Sequence, residues 1–159
     1  VLQSLGGLSF TDQHDLDTFK KAWRGLGFGF TPDEKYPLAS MSEEVVGALS
    51  VAATQLGIPL HCGGNFSKDS LYAESDELNF KRLALEYGVI GTEMEAVMLA
   101  LTAAFFRRDG LPVNCGMVSG VVGIIGEGSF STDAAVHCLA ESRSLKIAAE
   151  ALALLAMSE

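Results

Sequence analysis

Between Ser40 and Gly57 the apolar residues Val45, Leu49, Ala52, Ala53 and Leu56 recur at three- and four-residue steps, which gives a helix one apolar stripe. Ser40 and Glu43 have the offset of a capping box at its start, and Gly57 stands where a left-handed residue closes a helix. Residues 60–66 then predict a strand. Residues 77–87 repeat the helical spacing up to Gly88, and Val89 and Ile90 begin a further short strand. Thr92 and Glu95 show the capping-box offset again, predicting a long helix over 93–108 whose Arg107 and Arg108 suit the negative end of its dipole before Gly110. Residues 113–122 are almost continuously apolar and rich in β-branched side chains, as in a strand buried on both faces. Gly123, Gly126 and Gly128 mark a loop, and the Ala- and Leu-rich stretch 133–157 predicts a closing helix. Ahead of Pro32 only residues 15–23 have helical spacing, between Gly-rich runs that read as loops. Helices alternating with strands predict a layered α/β domain, without internal repeats.

Composition narrows the function classes. A chain of 159 residues can bury one real core, and its apolar runs are broken by Glu, Arg or Gly well short of a membrane span, so no membrane partner is expected. No basic segment leads an apolar one at the start, which reads as no signal peptide. Cys62, Cys115 and Cys138 are widely spaced and odd in number; they read as buried thiols in a reducing compartment, the cytoplasm. The net charge of −9 opposes a nucleic-acid partner, whose phosphates need clustered Lys and Arg. An anionic substrate would need local cations, and Arg24, Arg82, Arg107, Arg108 and Arg143 all stand away from Gly-rich loops. His14 and His61 belong to no ligand cluster, so no metal site is expected, and His137, among apolar neighbours, reads as a structural histidine.

Three segments carry a more specific signal: Gly64-Asn65-Phe66-Ser67-Lys68-Asp69-Ser70-Leu71-Tyr72, Gly91-Thr92-Glu93-Met94-Glu95-Ala96, and Cys115-Gly116-Met117-Val118-Ser119-Gly120. In that order and spacing they resemble the purine nucleoside and uridine phosphorylase family, with its Gly-x-x-x-Ser-x-Asp-x-Phe-Tyr strand end, Val-Glu-Met-Glu-Ala helix start and buried strand ending in Ser-Asp or Val-Asp-Gly. The similarity runs from about Tyr36 to the end, including the Lys146-Ile147 pair. Ile125-Gly126-Glu127-Gly128-Ser129-Phe130 falls where the protozoan branch has Trp-Asp-Glu-Gly-Asp-Phe, which makes that branch the preferred relative. The resemblance implies a three-layer α/β/α domain with a mixed central sheet, lacking its N-terminal portion, with residues 1–31 unmatched and 32–159 forming the C-terminal part. It also implies a homo-oligomer, phosphorolysis of nucleosides to free base and ribose 1-phosphate, inorganic phosphate as co-substrate, and no other cofactor.

Phosphorolysis needs the sugar oriented, a phosphate nucleophile held, and the departing base protonated or hydrogen-bonded. For the sugar the resemblance points to Met94, packing on the ribose face, and to Glu95, whose carboxylate would accept from the vicinal hydroxyls close to the positive charge that develops there. Glu93 is a further ribose candidate. A plainer reading stands beside this one: Glu95 caps the helix opposite Thr92, and Met94 fills the core. For the base the family's aromatic pair becomes Leu71-Tyr72, leaving a single ring to stack, and Asp69 also matches a family position. The leaving-group acid is the largest departure. One register puts Ser119 in the place of the family's Asp, and the other puts Gly120 there; both also belong to the base contact, and neither is a carboxylic acid. General acid catalysis is commonly a factor of roughly 10² to 10⁴, so Ser119 as the catalytic residue predicts impaired turnover. The Gln and Arg by which uridine phosphorylases read uracil are replaced by Ala73-Glu74-Ser75-Asp76-Glu77. The family's phosphate loop, Gly-Asp-Pro, is likewise missing from the sequence, and Gly6-Gly7 does not replace it.

Three readings follow. The first is a truncated, impaired nucleoside phosphorylase. The second is a non-catalytic member of the same fold kept for nucleoside binding, storage or assembly. The third is an unrelated α/β domain in which residues 93–95 merely begin a capped helix.

Overall fold

The computed structural model describes residues 3–5, 8–10, 12–68, 77–124 and 131–157, and the chain is a mixed helix and sheet protein. It divides into two compact bodies: residues 1–40, 65–73 and 91–115, and residues 41–64, 74–90 and 116–159.

In the first body, β1 (Gln3–Leu5) and β2 (Leu8–Phe10) pair antiparallel, with Gln3 opposite Phe10. Helix α1 (Gln13–Gly25) starts at Asp12, whose carboxylate accepts from the Asp15 N–H at 2.8 Å, and so is longer than the 15–23 segment suggested. Its buried Trp23 packs on Phe19 and Phe28, at ring separations of 5.6 and 5.0 Å. The Trp23 indole N–H donates to the carbonyls of Gly29 (2.9 Å) and Leu38 (3.2 Å), which belong to β3 (Gly29–Phe30) and β4 (Pro37–Leu38). One side chain thus ties the helix to both strands of an antiparallel pair. In the turn between them Glu34 has a left-handed φ of 55° and receives Lys20 at 2.6 Å and Arg24 at 2.5 Å. The Lys20 hydrogen bond and charge, with Arg24 beside it, hold the Glu34 carboxyl below the usual carboxylate range. Trp23→Phe keeps the ring packing and loses the bifurcated donor; a loss of about 1–2 kcal/mol in urea unfolding is expected.

Helix α2 (Glu43–Gln55) and helix α5 (Ala134–Ala156) form the core of the second body. Leu49, Ala52 and Ala53 from one and Ile147 and Ala151 from the other are buried together, with Val45, Ala48, Ile58, Leu60, Val118 and Leu154 around them. Three alanines in that core keep the facing surfaces low, so the helix backbones approach closely. Helix α3 (Glu77–Tyr87) has the bounds its sequence spacing indicates and buries Phe80 and Leu83. Gly57, Gly88 and Gly110, following α2, α3 and α4 (Ala96–Arg108), take φ of 63°, 66° and 87°, conformations open to glycine without steric cost.

Four expectations differ from the structure. Helix α2 begins after Ser42 and without a side-chain cap bond, so Ser40 and Glu43 form no capping box. The strand expected over 60–66 is β5 (Gly64–Ser67), which pairs with β6 (Val89–Glu93). Residues 113–122 form neither helix nor strand and join no strand ladder among the described residues. In the second body's part of that run, Gly116, Met117, Val118, Gly120 and Val122 are half-buried, while Ser119 and Val121 are exposed. Gly116 lies against Val45 and Leu49 of α2, Val118 packs on the core the two helices share, and Gly120 lies against Ala140 of α5. Finally, Cys62 and Cys138 are exposed thiols, and only Cys115 is buried.

Candidate active site

The ribose candidates lie in the first body, where β6 hands over to α4. Val89, Ile90 and Thr92 are β-branched, and the strand they favour runs on through Glu93, so α4 starts only at Ala96 with Glu95 as its N-cap residue. The Thr92–Glu95 capping box is therefore absent: Thr92 sits in the strand, and its buried hydroxyl finds no partner among the described residues. The first-turn amides still need acceptors. Glu93 supplies them, one oxygen accepting from the backbone N–H of both Glu95 and Ala96. Its other oxygen accepts from Asn65 Nδ2 at 2.7 Å and from the Ser67 hydroxyl, both on β5. Ser67 Oγ in turn accepts from the Val97 N–H at 3.1 Å. The Glu93 carboxylate thus accepts four hydrogen bonds from the chain itself.

This arrangement bears directly on Glu95. The structural task that the plainer sequence reading gave to Glu95 falls to Glu93. Glu95 makes no side-chain cap bond and is exposed; one of its oxygens accepts from the Met94 N–H at 3.1 Å, and Met94 itself is 39% exposed. A carboxylate has roughly four acceptor sites. Among the described residues only the Met94 N–H is shown donating to Glu95, at the end of an element tied to β5 through Glu93, Asn65 and Ser67. A methionine face lies one residue away.

Lys68 follows on β5, its N–H donating to the Glu93 carbonyl at 2.8 Å. Its side chain is buried, and burial pushes its ammonium below the usual lysine range. Between that lowered value and the unfolded one the unfolded chain binds the extra proton, so this group adds stability as the pH rises through the interval. The base candidates Leu71 and Tyr72, and Asp69 with them, lie outside the described residues, as does the 125–130 stretch.

Ser119 and Gly120 belong to the second body, on the extended run against α5. The two positions differ sharply in the room they offer. A Cβ on Gly120 would lie 2.6 Å from the Ala140 Cβ and 2.9 Å from the Ala140 carbonyl oxygen, so the chain passes directly against a turn of α5. Ser119, exposed, has space for a larger side chain. Of the two registers considered for the family's acid, only position 119 accommodates one. Both residues line an open groove of about 400 Å³ together with His137, Ala140, Glu141 and Ser144 of α5. His137 Nε2 lies 2.6 Å from the Ser131 carbonyl, a contact the sequence could not reveal.

The relationships to known proteins agree with the motifs. A family model described as the phosphorylase superfamily matches residues 8–153, taking in 8–31, where the motif reading found no counterpart. Over 89 residues, 56% of this chain, the sequence is 36% identical to a DeoD-type purine nucleoside phosphorylase of Limosilactobacillus reuteri (strain DSM 20016), of which the match covers 34%. Over 84 residues it is 33% identical to a DeoD-type purine nucleoside phosphorylase of Brevibacillus brevis, covering 53% of this chain and 32% of that protein. The matched segment spans about a third of the length of these curated relatives.

Proposed function

Because this chain belongs to the phosphorylase superfamily, we propose that it binds a purine nucleoside and carries the sugar- and base-facing part of a phosphorolytic site, with inorganic phosphate as co-substrate and no other cofactor. In this reading Glu95 grips the ribose hydroxyls, Met94 covers the sugar face, and Glu93 holds both in register from behind. Leu71, Tyr72, Ser119 and Gly120 meet the base. The observation that carries the reading is the division of labour between the two glutamates: Glu93 absorbs the helix-terminal donors, and Glu95 is exposed and makes no side-chain cap bond. A second reading, a nucleoside-binding protein without turnover, draws on the serine at position 119, where the family's acid would stand. Self-association belongs to the proposal too, supported by large apolar side chains that stay exposed, Val121, Leu145 and Leu152 among them. So does a reducing, cytoplasmic setting, supported by three cysteines that are in no disulfide; among the described residues no helix is long and apolar enough to cross a membrane.

Calorimetric titration of inosine into the wild type and Glu95→Ala tests the sugar assignment. Loss of charge-assisted hydrogen bonds to a diol predicts affinity weaker by about tenfold or more. Equal affinity in a folded variant would remove Glu95 from the site.

A further inference from the structure

We propose that two copies of this chain associate through the face of α5 turned away from α2, parallel and in register about a two-fold axis. The inference rests on the self-association read above and names where it occurs. Helix α5 is apolar on two opposite faces. One is occupied within the second body: Ile147 and Ala151 are buried in the core shared with α2, Leu154 packs beside them, and Ala140 meets Gly120. On the other side of the helix Cys138, Leu145 and Leu152 follow at seven-residue steps, with Ser142, Ala149 and Ala156 four residues after each. Leu145 is 70% exposed and Leu152 67%, and every member of this stripe except the half-buried Ser142 is exposed. A second apolar stripe with a seven-residue repeat, kept up along a helix of 23 residues, has the pattern of a coiled-coil seam.

The charges that border the stripe say what covers it. Glu141 and Lys146 stand on its two sides, five residues apart. In a parallel, in-register pair that is the offset at which one border of a helix meets the opposite border of the other, so Glu141 of each copy faces Lys146 of the second copy, once on either side of the axis. Antiparallel pairing brings like borders together instead. It would set Glu141 beside Ala148 or Leu155 and Lys146 beside Leu139 or Ala153, with no opposite charge in reach. A lipid surface is a poorer match, because the borders hold one acid and one base rather than a basic rim. The small Ser142, Ala149 and Ala156 let the two helix axes approach, and the leucines of both copies fill the layers between them. The same symmetry sets the two copies of Cys138 opposite each other at one end of the seam.

Sedimentation equilibrium of the wild-type chain should show a dimer in the micromolar range. Leu152→Glu sets two carboxylates against each other in an apolar layer and should weaken that dimer by about a hundredfold or more, with circular dichroism unchanged because the position is exposed. Glu141→Lys and Lys146→Glu should each weaken self-association by about tenfold, and mixing the two variants should restore it, since every pair across the seam is then of opposite charge. Diamide, reduced to its hydrazine as two thiols become one disulfide, should join the copies through Cys138; Cys138→Ser should abolish the cross-linked product and Cys62→Ser should leave it. A monomeric wild type overturns self-association and this interface together. A dimer that survives Leu152→Glu, or that does not cross-link through Cys138, overturns the interface alone. No nucleoside enters these readouts, so their outcome is separate from that of the Glu95 assignment.

Discussion

Glu93→Ala is expected to lower the unfolding free energy by about 2–4 kcal/mol, although a carboxylate of intermediate exposure at a strand end looks like a tolerant position. Four donors lose their acceptor at once: the amides of Glu95 and Ala96, the Asn65 amide and the Ser67 hydroxyl. Water can reach part of this cluster, which keeps the loss below the sum of four buried bonds. What water cannot restore is the link between β5 and the first turn of α4, residues 26–28 positions apart in sequence. Urea unfolding followed by far-ultraviolet circular dichroism measures the loss. Ser67→Ala, alone and combined with Glu93→Ala, should give a coupling energy of at least about 0.5 kcal/mol, as for side chains in one network. Inosine affinity should fall in Glu93→Ala as well, because Glu95 loses the backbone that aims it. Additive behaviour of the two substitutions would mean that the clasp is not a unit, and that Glu95 takes its direction from elsewhere.

The pattern along the chain marked out some parts of this structure and not others, for definite reasons. Helix α3 runs Glu77–Tyr87 and α5 runs Ala134–Ala156, each within a residue of the spacing in the sequence, because their ends carry strong punctuation: Gly88 after one, Asp133 capping the other. The start of α4 was misplaced because Thr92-Glu93-Met94-Glu95 satisfies a capping-box offset while its first two residues also continue a β-branched strand, and the strand pairing prevails. The motif singled out both glutamates. Which of them is occupied with its own backbone depends on Asn65 and Ser67, and a partner so far along the chain leaves no periodic trace. Residues 113–122 were legible as an apolar run, but whether such a run pairs as a strand is a property of what packs there, not of the run itself. The reach of Trp23 to two carbonyls, and the seating of His137 on Ser131, are likewise tertiary facts.

Gly120→Asp and Ser119→Asp place the same carboxyl one residue apart and should have opposite consequences. At 120 a Cβ would come within 2.6–2.9 Å of the Ala140 side chain and backbone, closer than real contacts allow. Because part of the obstacle is helix backbone, no rotamer change relieves it; the extended run must lift off α5, opening the packing around Val118 and bringing a charge against the seam. A loss of about 3–5 kcal/mol is expected, read as a large fall in the urea midpoint. Gly120→Ala should show the steric part alone, at about 1–3 kcal/mol. Ser119, exposed at the open groove, should accept Asp within about 0.5 kcal/mol of the wild type. That variant then tests the chemistry without disturbing the fold. If the chain turns over inosine in phosphate at all, a carboxylic acid at 119 should raise the rate, because it can protonate a base nitrogen where a serine hydroxyl, with its high pKa, does so poorly. If Gly120→Asp proves as stable as Ser119→Asp, the close approach to α5 is not what holds this segment, and the choice of position 119 for the acid loses its physical basis.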